Sequence, residues 1–353
     1  MTPEGYNRPP CQGCNRTRNM GLTRGESFTL LALTSKVGGM KRMIMPLILS
    51  VALGCGSSDE GNAAGTGGIG GEGGTGGQMF SANPPLVIGG ERPATVDIPL
   101  DYDPSVAHPL LVFLHGFGTV AGLPQAAFLG VLDVVDEKDF VMLLPDGTLR
   151  DDGNYFWNGT PACCDPDDAI DDVGYLSGLL EEAKRTYNID EKRVYLLGYS
   201  NGGFMSYRMA CEASELITAI VSLAGSTFAE GADCQPETRP VSVLQVHGTA
   251  DTTIFYDGRA GEYPSAVETV ELFASAAGCD TSAPTGVGNV DLVSAVEGEE
   301  TEQVVYTNGC QESVDAALWT IREAGHRPIF YRPDSGSPVF ADLATDWLLA
   351  HTR

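Results

Sequence analysis

Residues 198–202 read Gly-Tyr-Ser-Asn-Gly, and this segment constrains the fold of the chain more than any other. An apolar run at 194–197 precedes it, and a stretch with helix-like apolar spacing follows from Phe204 to Met209. A serine on a tight turn from strand to helix projects its hydroxyl clear of the sheet, and glycines relieve the crowding. The pattern predicts that Ser200 is a nucleophile. The competing interpretation is a glycine-rich turn that contains a serine.

A serine nucleophile requires a base, usually a histidine that a carboxylate orients. In serine enzymes built on an open α/β sheet, the order along the chain is nucleophile, acid, histidine. Of the five histidines, His326 and His351 lie far enough after Ser200 to leave room for an acid-bearing strand. We expect His351, at the tail of a predicted helix, to be solvated. His326 follows a strand-like run at 317–321 and is therefore the predicted base.

The predicted acid is Asp251, which comes just after a buried-strand pattern at 241–246. Asp233 precedes that strand and Asp257 lies further into the loop, so both are weaker candidates. The alternative for Asp251 is a capping residue in a turn.

Two backbone N–H groups are needed to stabilise an oxyanion. The residue after the nucleophile, Asn201, supplies one by this interpretation. The other is expected in the loop after the apolar run at 109–114, from Phe117, with Gly118 as the neighbour that could substitute. We expect His115 to hold this loop in place.

Strand-like and helix-like runs alternate along the chain, which predicts an α/β fold with a mostly parallel sheet and helices on both faces. The predicted core strands are 110–114, 140–144, 194–197, 217–223, 241–246 and 318–321, with 95–99 as an outer strand and 303–306 as a hairpin partner. Predicted helices cover 173–187, the region of Val267 to Ala274, and the region of Leu343 to Leu348.

Several segments together resemble a known family, the secreted polyhydroxybutyrate depolymerase-like and feruloyl esterases of carbohydrate esterase family 1, which have the α/β-hydrolase fold. They are Leu-His-Gly at 114–116, Leu-Pro-Asp-Gly at 144–147, Trp-Asn at 157–158, Cys-Cys at 163–164, Asp-Asp-Val-Gly at 171–174, Gly-Tyr-Ser-Asn-Gly-Gly at 198–203, His-Gly-Thr-Ala-Asp at 247–251 and Gly-His at 325–326. The resemblance covers the chain from about residue 85 to the C-terminus.

The resemblance implies that Ser200, Asp251 and His326 form the catalytic triad of a carboxylic ester hydrolase that needs no cofactor and no metal. Its substrate would be a feruloyl or acetyl ester of plant polysaccharide, or a polyhydroxyalkanoate. Many relatives carry Trp-Pro-Gly shortly after the histidine, whereas residues 327–329 read Arg-Pro-Ile here, so the substrate is the open question. Candidate substrate contacts are Trp157, Tyr199 and Gly118. Two alternatives stay open: a serine peptidase of similar fold, and a surface-tethered binding protein without catalysis.

The N-terminal region predicts export. Residues 40–55 begin with Lys41 and Arg42, continue with an apolar run too short to span a bilayer, and end at Cys55. Ala-Leu-Gly-Cys at 52–55 resembles a lipoprotein box, so either Cys55 is lipidated or ordinary cleavage releases the protein. Residues 56–80 are a glycine-rich segment expected to be a disordered linker, and 81–353 form the catalytic domain. Residues 1–39 are expected to be untranslated, with Met40 as the start, or disordered.

Charge and cysteine content limit the partners and the compartment. The formal net charge of −26 argues against nucleic acid and polyanionic substrates, and we expect a monomer whose membrane contact is confined to the N-terminal lipid. An even six cysteines in an exported domain predict three disulfides among 15 possible pairings. We predict Cys211–Cys234 and Cys279–Cys310, which leaves Cys163 with Cys164.

Residues 164–172 are strongly acidic, and a calcium site is conceivable there. The spacing lacks the pattern of a calcium-binding loop, however. We therefore expect a solvated loop and negative charge at a helix N-terminus.

Overall fold

A computed structural model of the chain describes residues 34–37, 40–43, 79–118, 120–164, 170–229, 234, 239–311, 313–332 and 335–353. Strands β1 (Thr34–Val37) and β2 (Met40–Met43) form an antiparallel hairpin in one compact unit. The other unit contains Phe80–Arg353. Nearly all of the predicted linker, the cysteine at 55 and most of the predicted export signal lie outside the described residues, so the expectations for residues 1–80 stay predictions.

Ten strands of the larger unit form one sheet. They are β3 (Val87–Ile88), β4 (Ala94–Asp97), β5 (His108–Leu114), β6 (Val141–Pro145), β9 (Ile189–Tyr199), β10 (Ala219–Leu223), β11 (Ser242–Gly248), β12 (Thr285–Val290), β13 (Thr301–Tyr306) and β14 (Ala316–Ile321). Their order is β12-β13-β14-β11-β10-β9-β5-β6-β4-β3. The six strands from β14 to β6 are mutually parallel, and the two strands at each edge are antiparallel. A separate short hairpin pairs β7 (Thr148–Leu149) with β8 (Tyr155–Phe156).

Helices cover both faces of this sheet. They are α1 (Gly122–Phe128), α2 (Val135–Lys138), α3 (Asp172–Thr186), α4 (Asn201–Glu212), α5 (Ala266–Ala276) and α6 (Val339–Leu349), with 3-10 turns at Val131–Val134 and Ser214–Leu216. Because side chains alternate along a strand, β5 sends Leu110 and Val112 into the cluster that contains α3, α4 and α5. Leu111 and Phe113 enter the cluster on the α6 face. The predicted α/β fold is therefore confirmed.

The strand and helix predictions hold for the core, with ends shifted by a few residues. The outer strand β12 was not predicted, because its sequence Thr-Gly-Val-Gly-Asn-Val carries two glycines and its first five residues are exposed. The expectation of a solvated His351 was wrong. Its Nε2 lies 2.9 Å from Oδ1 of Asp315, and its Nδ1 lies 2.8 Å from the carbonyl oxygen of Trp347. Within the described residues, no helix combines the length and the apolar character needed to cross a bilayer.

Candidate active site

Ser200 lies on the sharp turn between β9 and α4, with φ 54° and ψ −117°. This left-handed conformation is rare for a residue with a side chain and lifts the hydroxyl away from the sheet. Gly198 and Gly202 permit the turn. A Cβ at Gly198 would lie 2.1 Å from the carbonyl oxygen of Gly202, and one at Gly202 would lie 2.0 Å from that of Leu114. The turn therefore requires both glycines.

The structure brings Ser200, His326 and Asp251 into one hydrogen-bonded row. Nε2 of His326 lies 2.9 Å from Oγ of Ser200, and its Nδ1 lies 2.6 Å from Oδ2 of Asp251. The three residues come from three separate loops at the carboxyl ends of β9, β11 and β14. The row has the geometry in which a histidine removes the hydroxyl proton of a serine and a carboxylate orients the ring. Asp257 and His351 make no contact with Ser200, and Asp233 lies outside the described residues.

The carboxylate of Asp251 is held in its ionised form. Burial by itself would raise its pKa, but hydrogen bonds from His247 and His326 and from the N–H of Thr253 lower the pKa of Asp251 far below its usual range. A carboxylate next to a histidine ring stabilises the imidazolium that forms when the ring accepts a proton. The electrostatics of the site thus suit general-base catalysis.

Two loops near Ser200 offer backbone N–H groups. The first helical hydrogen bonds of α4 come from Gly203 and Phe204 and end on the carbonyl of Ser200, so the N–H of Asn201 precedes them. In the other loop, the N–H of Gly118 donates to the carbonyl of Tyr155 at 3.1 Å. That bond engages Gly118 and favours Phe117 as the second oxyanion donor.

Two side chains hold the Phe117 loop: Gln125, which the sequence did not single out, and His115, for which this role was expected. Oε1 of Gln125 accepts a hydrogen bond from the N–H of Gly116 at 2.9 Å, and its Nε2 donates to the carbonyl of Val120. His115 also holds the loop: its Nδ1 donates to the carbonyl of Gly116, and its Nε2 accepts from the N–H of Gly147. Burial lowers the pKa of His115 and keeps the ring neutral. No sequence motif marks Gln125, because its partners are backbone atoms.

A cleft of about 480 Å³ opens beside Ser200. Its walls are largely apolar and include the following residues: Phe117, Gly118, Val120, Phe128, Ala162, Cys163, Cys164, Tyr199, Ile254 and Tyr263. Arg259, Glu262 and Arg327 are the charged residues of its lining. A cleft of this kind suits a small or extended ester with an apolar part.

The three candidate substrate contacts have different positions. Gly118 and Tyr199 line the cleft, although the hydroxyl of Tyr199 donates to the carbonyl of His326 at 3.1 Å and supports the base. Trp157 does not line it: the side chain is fully buried, and its Nε1 donates to the carbonyl of His115. Of the two interpretations that the sequence allows for Trp157, a substrate contact and packing in the core, the structure has the second.

The side chain of Asn201 has a structural role beside the expected one of its backbone. Oδ1 accepts from the N–H of Trp157 at 2.6 Å, and Nδ2 donates to the carbonyls of Trp157 and Cys163. These bonds attach the nucleophile turn to the loop that carries the Cys163–Cys164 disulfide. The structure also contains the two other predicted bridges, Cys211–Cys234 and Cys279–Cys310.

The end of the acidic segment caps a helix. Oδ1 of Asp171 accepts from the N–H of Gly174 at the start of α3, and the buried carboxylate of Asp172 forms an ion pair of 2.6 Å with Arg92, which is partly exposed. Residues 165–169 lie outside the described part. In the part that the structure describes, no group of three or more histidine, cysteine or acidic side chains is placed to hold a metal ion.

Esterases are among the known proteins that this chain is similar to. A bifunctional acetylxylan esterase/xylanase of Neocallimastix patriciarum is 31% identical over 150 residues, which are 42% of this chain and 20% of that protein. Feruloyl esterase B of Piromyces equi is 28% identical over 170 residues, 47% of this chain and 30% of that protein. The structure of an acetyl xylan esterase from Aspergillus awamori matches with a TM-score of 0.54 at 15% identity, over 72% of this chain and 93% of that one. The chain has the α/β-hydrolase fold and is similar in sequence to feruloyl and acetylxylan esterases.

This assignment confirms the resemblance to feruloyl esterases and the fold. The polyhydroxybutyrate depolymerase part of the resemblance stays a prediction. No protein-family model matches this chain. The match covers 52%, 20% and 30% of the lengths of the first three curated relatives, so the chain spans about half of their length or less.

Proposed function

We propose that this α/β-hydrolase is a serine esterase that hydrolyses carboxylic esters of a polymer. Feruloyl and acetyl esters of plant polysaccharide come first, because feruloyl and acetylxylan esterases are among the relatives; polyhydroxyalkanoate is the further candidate. The observation that carries the proposal is the hydrogen-bonded row of Ser200, His326 and Asp251 beside an apolar cleft.

The proposed mechanism has two steps. His326 removes the proton of Ser200 as Oγ attacks the ester carbonyl, and the N–H groups of Asn201 and Phe117 stabilise the oxyanion. Protonated His326, oriented by Asp251, then gives its proton to the leaving alcohol. Water attacks the acyl-enzyme by the same route and releases the acid.

We also propose that the enzyme is exported. Three disulfides in the domain support this, because such bonds persist in oxidising compartments. The apolar run before Cys55 supports it from the sequence. Whether Cys55 carries a lipid would be decided by the mass of the mature N-terminal peptide.

The test of the proposed function compares the full chain with its Ser200→Ala variant. Both would be produced in an oxidising compartment and assayed on methyl ferulate, acetylated xylan and a polyhydroxybutyrate suspension. We expect hydrolysis of at least one substrate and a loss of at least about 10³-fold in the variant. Ser105→Ala is the matched control and retains full activity. Ser105 lies in an exposed turn just before β5, whereas the Phe117 loop follows the other end of that strand.

Labelling with a fluorophosphonate separates the other outcomes, because the reagent needs an activated serine. A folded chain that is labelled at Ser200 but cleaves none of the three esters, nor a small activated acetate, would point to a peptidase. A folded chain that is neither labelled nor active would overturn the esterase proposal in favour of a binding protein.

A further inference from the structure

The carboxylate of Asp251 is hydrogen-bonded at both oxygens. Oδ1 accepts from the N–H groups of Thr253 at 2.8 Å and Ile254 at 3.0 Å. Oδ2 lies 2.6 Å from Nδ1 of His326 and 3.3 Å from Nε2 of His247. An ionised carboxylate offers about four lone-pair positions. Three N–H groups hydrogen-bond to this one, and the His247 ring stands close to Oδ2 as the fourth neighbour. His247 is the one partner that is neither backbone nor part of the triad.

Neighbouring side chains fix which nitrogen of His247 carries the hydrogen. Nε2 of Gln245 donates to the carbonyl of Gly225 at 2.8 Å and lies 3.0 Å from Nδ1 of His247. Oε1 of Gln245 accepts from the hydroxyl of Tyr207 at 2.9 Å, and burial raises the pKa of Tyr207, so that the hydroxyl stays a donor. The amide therefore presents its N–H to Nδ1, and the hydrogen of the His247 ring is at Nε2.

That hydrogen is donated to a backbone carbonyl next to the acid. Nε2 of His247 lies 2.9 Å from the carbonyl oxygen of Ile254, its hydrogen-bond partner, and 3.3 Å from Oδ2 of Asp251, a close contact between the ring and the carboxylate. The ring of Tyr256 packs edge-on against that of His247, with 5.8 Å between their centroids. His247 is buried, so water does not compete for this hydrogen.

The contacts of His247 connect the acid back to the nucleophile helix. Gln245 and His247 lie two residues apart on β11 and therefore share one face of the strand. Tyr207 lies on α4, seven residues after Ser200, which is two helical turns. A closed ring of contacts results, in the order Ser200, His326, Asp251, His247, Gln245, Tyr207 and α4 back to Ser200.

We propose that His247 is a positioning residue for the triad, which holds the carboxylate of Asp251 in the plane that His326 requires. The inference rests on the proposed ester hydrolysis. His247 makes no contact with Ser200 and does not line the cleft. Its effect on the reaction therefore passes through Asp251.

The first test compares His247→Leu, which removes the donor, with His247→Gln, which places an amide N–H in its stead. We expect the leucine variant to lose on the order of 10- to 100-fold in kcat while KM stays within about twofold, and the glutamine variant to recover part of the loss. His108→Leu is the matched control and leaves kcat unchanged. His108 is also buried, but it lies at the start of β5, at the end of the strand away from the Phe117 loop. An unchanged kcat in folded His247→Leu would overturn the inference.

A double-mutant cycle with Asp251→Asn separates positioning from general loss of structure. If His247 acts through Asp251, adding His247→Leu to Asp251→Asn lowers kcat by less than about threefold further. If His247→Leu lowers kcat as much in the Asp251→Asn background as it does in the wild type, the inference is contradicted.

The proton between Nδ1 of His326 and Asp251 gives a readout without substrate. We expect a far-downfield ¹H resonance in the wild type that shifts or broadens in His247→Leu and not in His108→Leu. If the wild type is inactive on every ester, the proposed function is wrong, but this resonance still tests the role of His247. A resonance that is the same in the wild type and in His247→Leu would overturn the inference. If His247→Leu does not fold, Tyr207→Phe removes only the hydroxyl that orients Gln245, and a smaller loss in kcat is expected from it.

Discussion

Gly202 packs against the carbonyl of Leu114 so closely that a Cβ would lie 2.0 Å from its oxygen. Gly202 is two residues after Ser200, and Leu114 is the last residue of β5, which leads into the Phe117 loop. The contact therefore sets the nucleophile turn and the predicted oxyanion loop at a fixed separation. Since backbone lies on both sides, neither can move aside for a side chain.

The first prediction is that Gly202→Ala lowers the free energy of unfolding by about 3 kcal/mol and abolishes hydrolysis, because overpacking displaces the turn. Urea unfolding followed by circular dichroism measures the stability. Gly178→Ala, at an open position on α3, is the matched control and stabilises by about 0.5–1 kcal/mol through helix propensity. If Gly202→Ala were as stable as the wild type, the backbone of the turn could move away from Leu114. The fixed separation inferred from the close contact would then be wrong.

The second prediction concerns Gln125, whose side chain accepts from the N–H of Gly116 and donates to the carbonyl of Val120. In Gln125→Ala the loop loses both bonds, so the N–H of Phe117 is held less well where the oxyanion forms. We expect kcat to fall on the order of 10-fold with little change in KM, since an oxyanion donor acts in the transition state. Steady-state kinetics on a small ester decide it, and a rise in KM alone would assign Gln125 to substrate binding instead.

The third prediction is that the domain loses stability as the pH falls below about 6.5. Burial lowers the pKa of His115 in the folded state, whereas in the unfolded chain it has its ordinary value of 6.5. The unfolded state therefore binds a proton below that pH which the folded state does not, and the free energy of unfolding decreases by up to about 1.4 kcal/mol per pH unit. Asp251 adds to the loss only below about pH 3.8, since its folded pKa is lowered.

Denaturation between pH 7.5 and 5, compared with His115→Asn, isolates the contribution of His115. The asparagine does not titrate, so the pH slope of the variant is smaller than that of the wild type. Parallel slopes for the two proteins would assign the pH dependence to other groups.

The sequence was sufficient to predict the parts of the site that depend on chain order. Ser200, Asp251 and His326 each follow a buried strand, and the carboxyl ends of parallel strands meet at one edge of the sheet. Their hydrogen-bonded row is consistent with that reasoning. The same holds for the glycines at 198 and 202, since only glycine tolerates backbone at such a distance.

Residues that act through backbone partners or through burial were not predictable in this way. Gln125 binds main-chain atoms of a loop, and its position does not differ in the sequence from that of an ordinary helix residue. His247 belongs to the motif at 247–251, but the sequence does not show that its ring faces the carboxylate of Asp251. Trp157 was one of the candidate substrate contacts, and the sequence favoured that role no more than packing in the core. Burial depends on tertiary packing, and here the ring lies in the core.

The last prediction concerns the Cys211–Cys234 disulfide, which joins the last turn of α4 to a residue 23 positions later. Closing a loop of this length restricts the unfolded chain by about 3 kcal/mol in the chain-entropy model. The double variant Cys211→Ala, Cys234→Ala should therefore unfold at a lower urea concentration with that loss of stability. Ser105→Ala, in an exposed turn away from the three pairs, is the control and leaves the midpoint nearly unchanged. An unchanged midpoint in the double variant would show that the bridge does not form in solution.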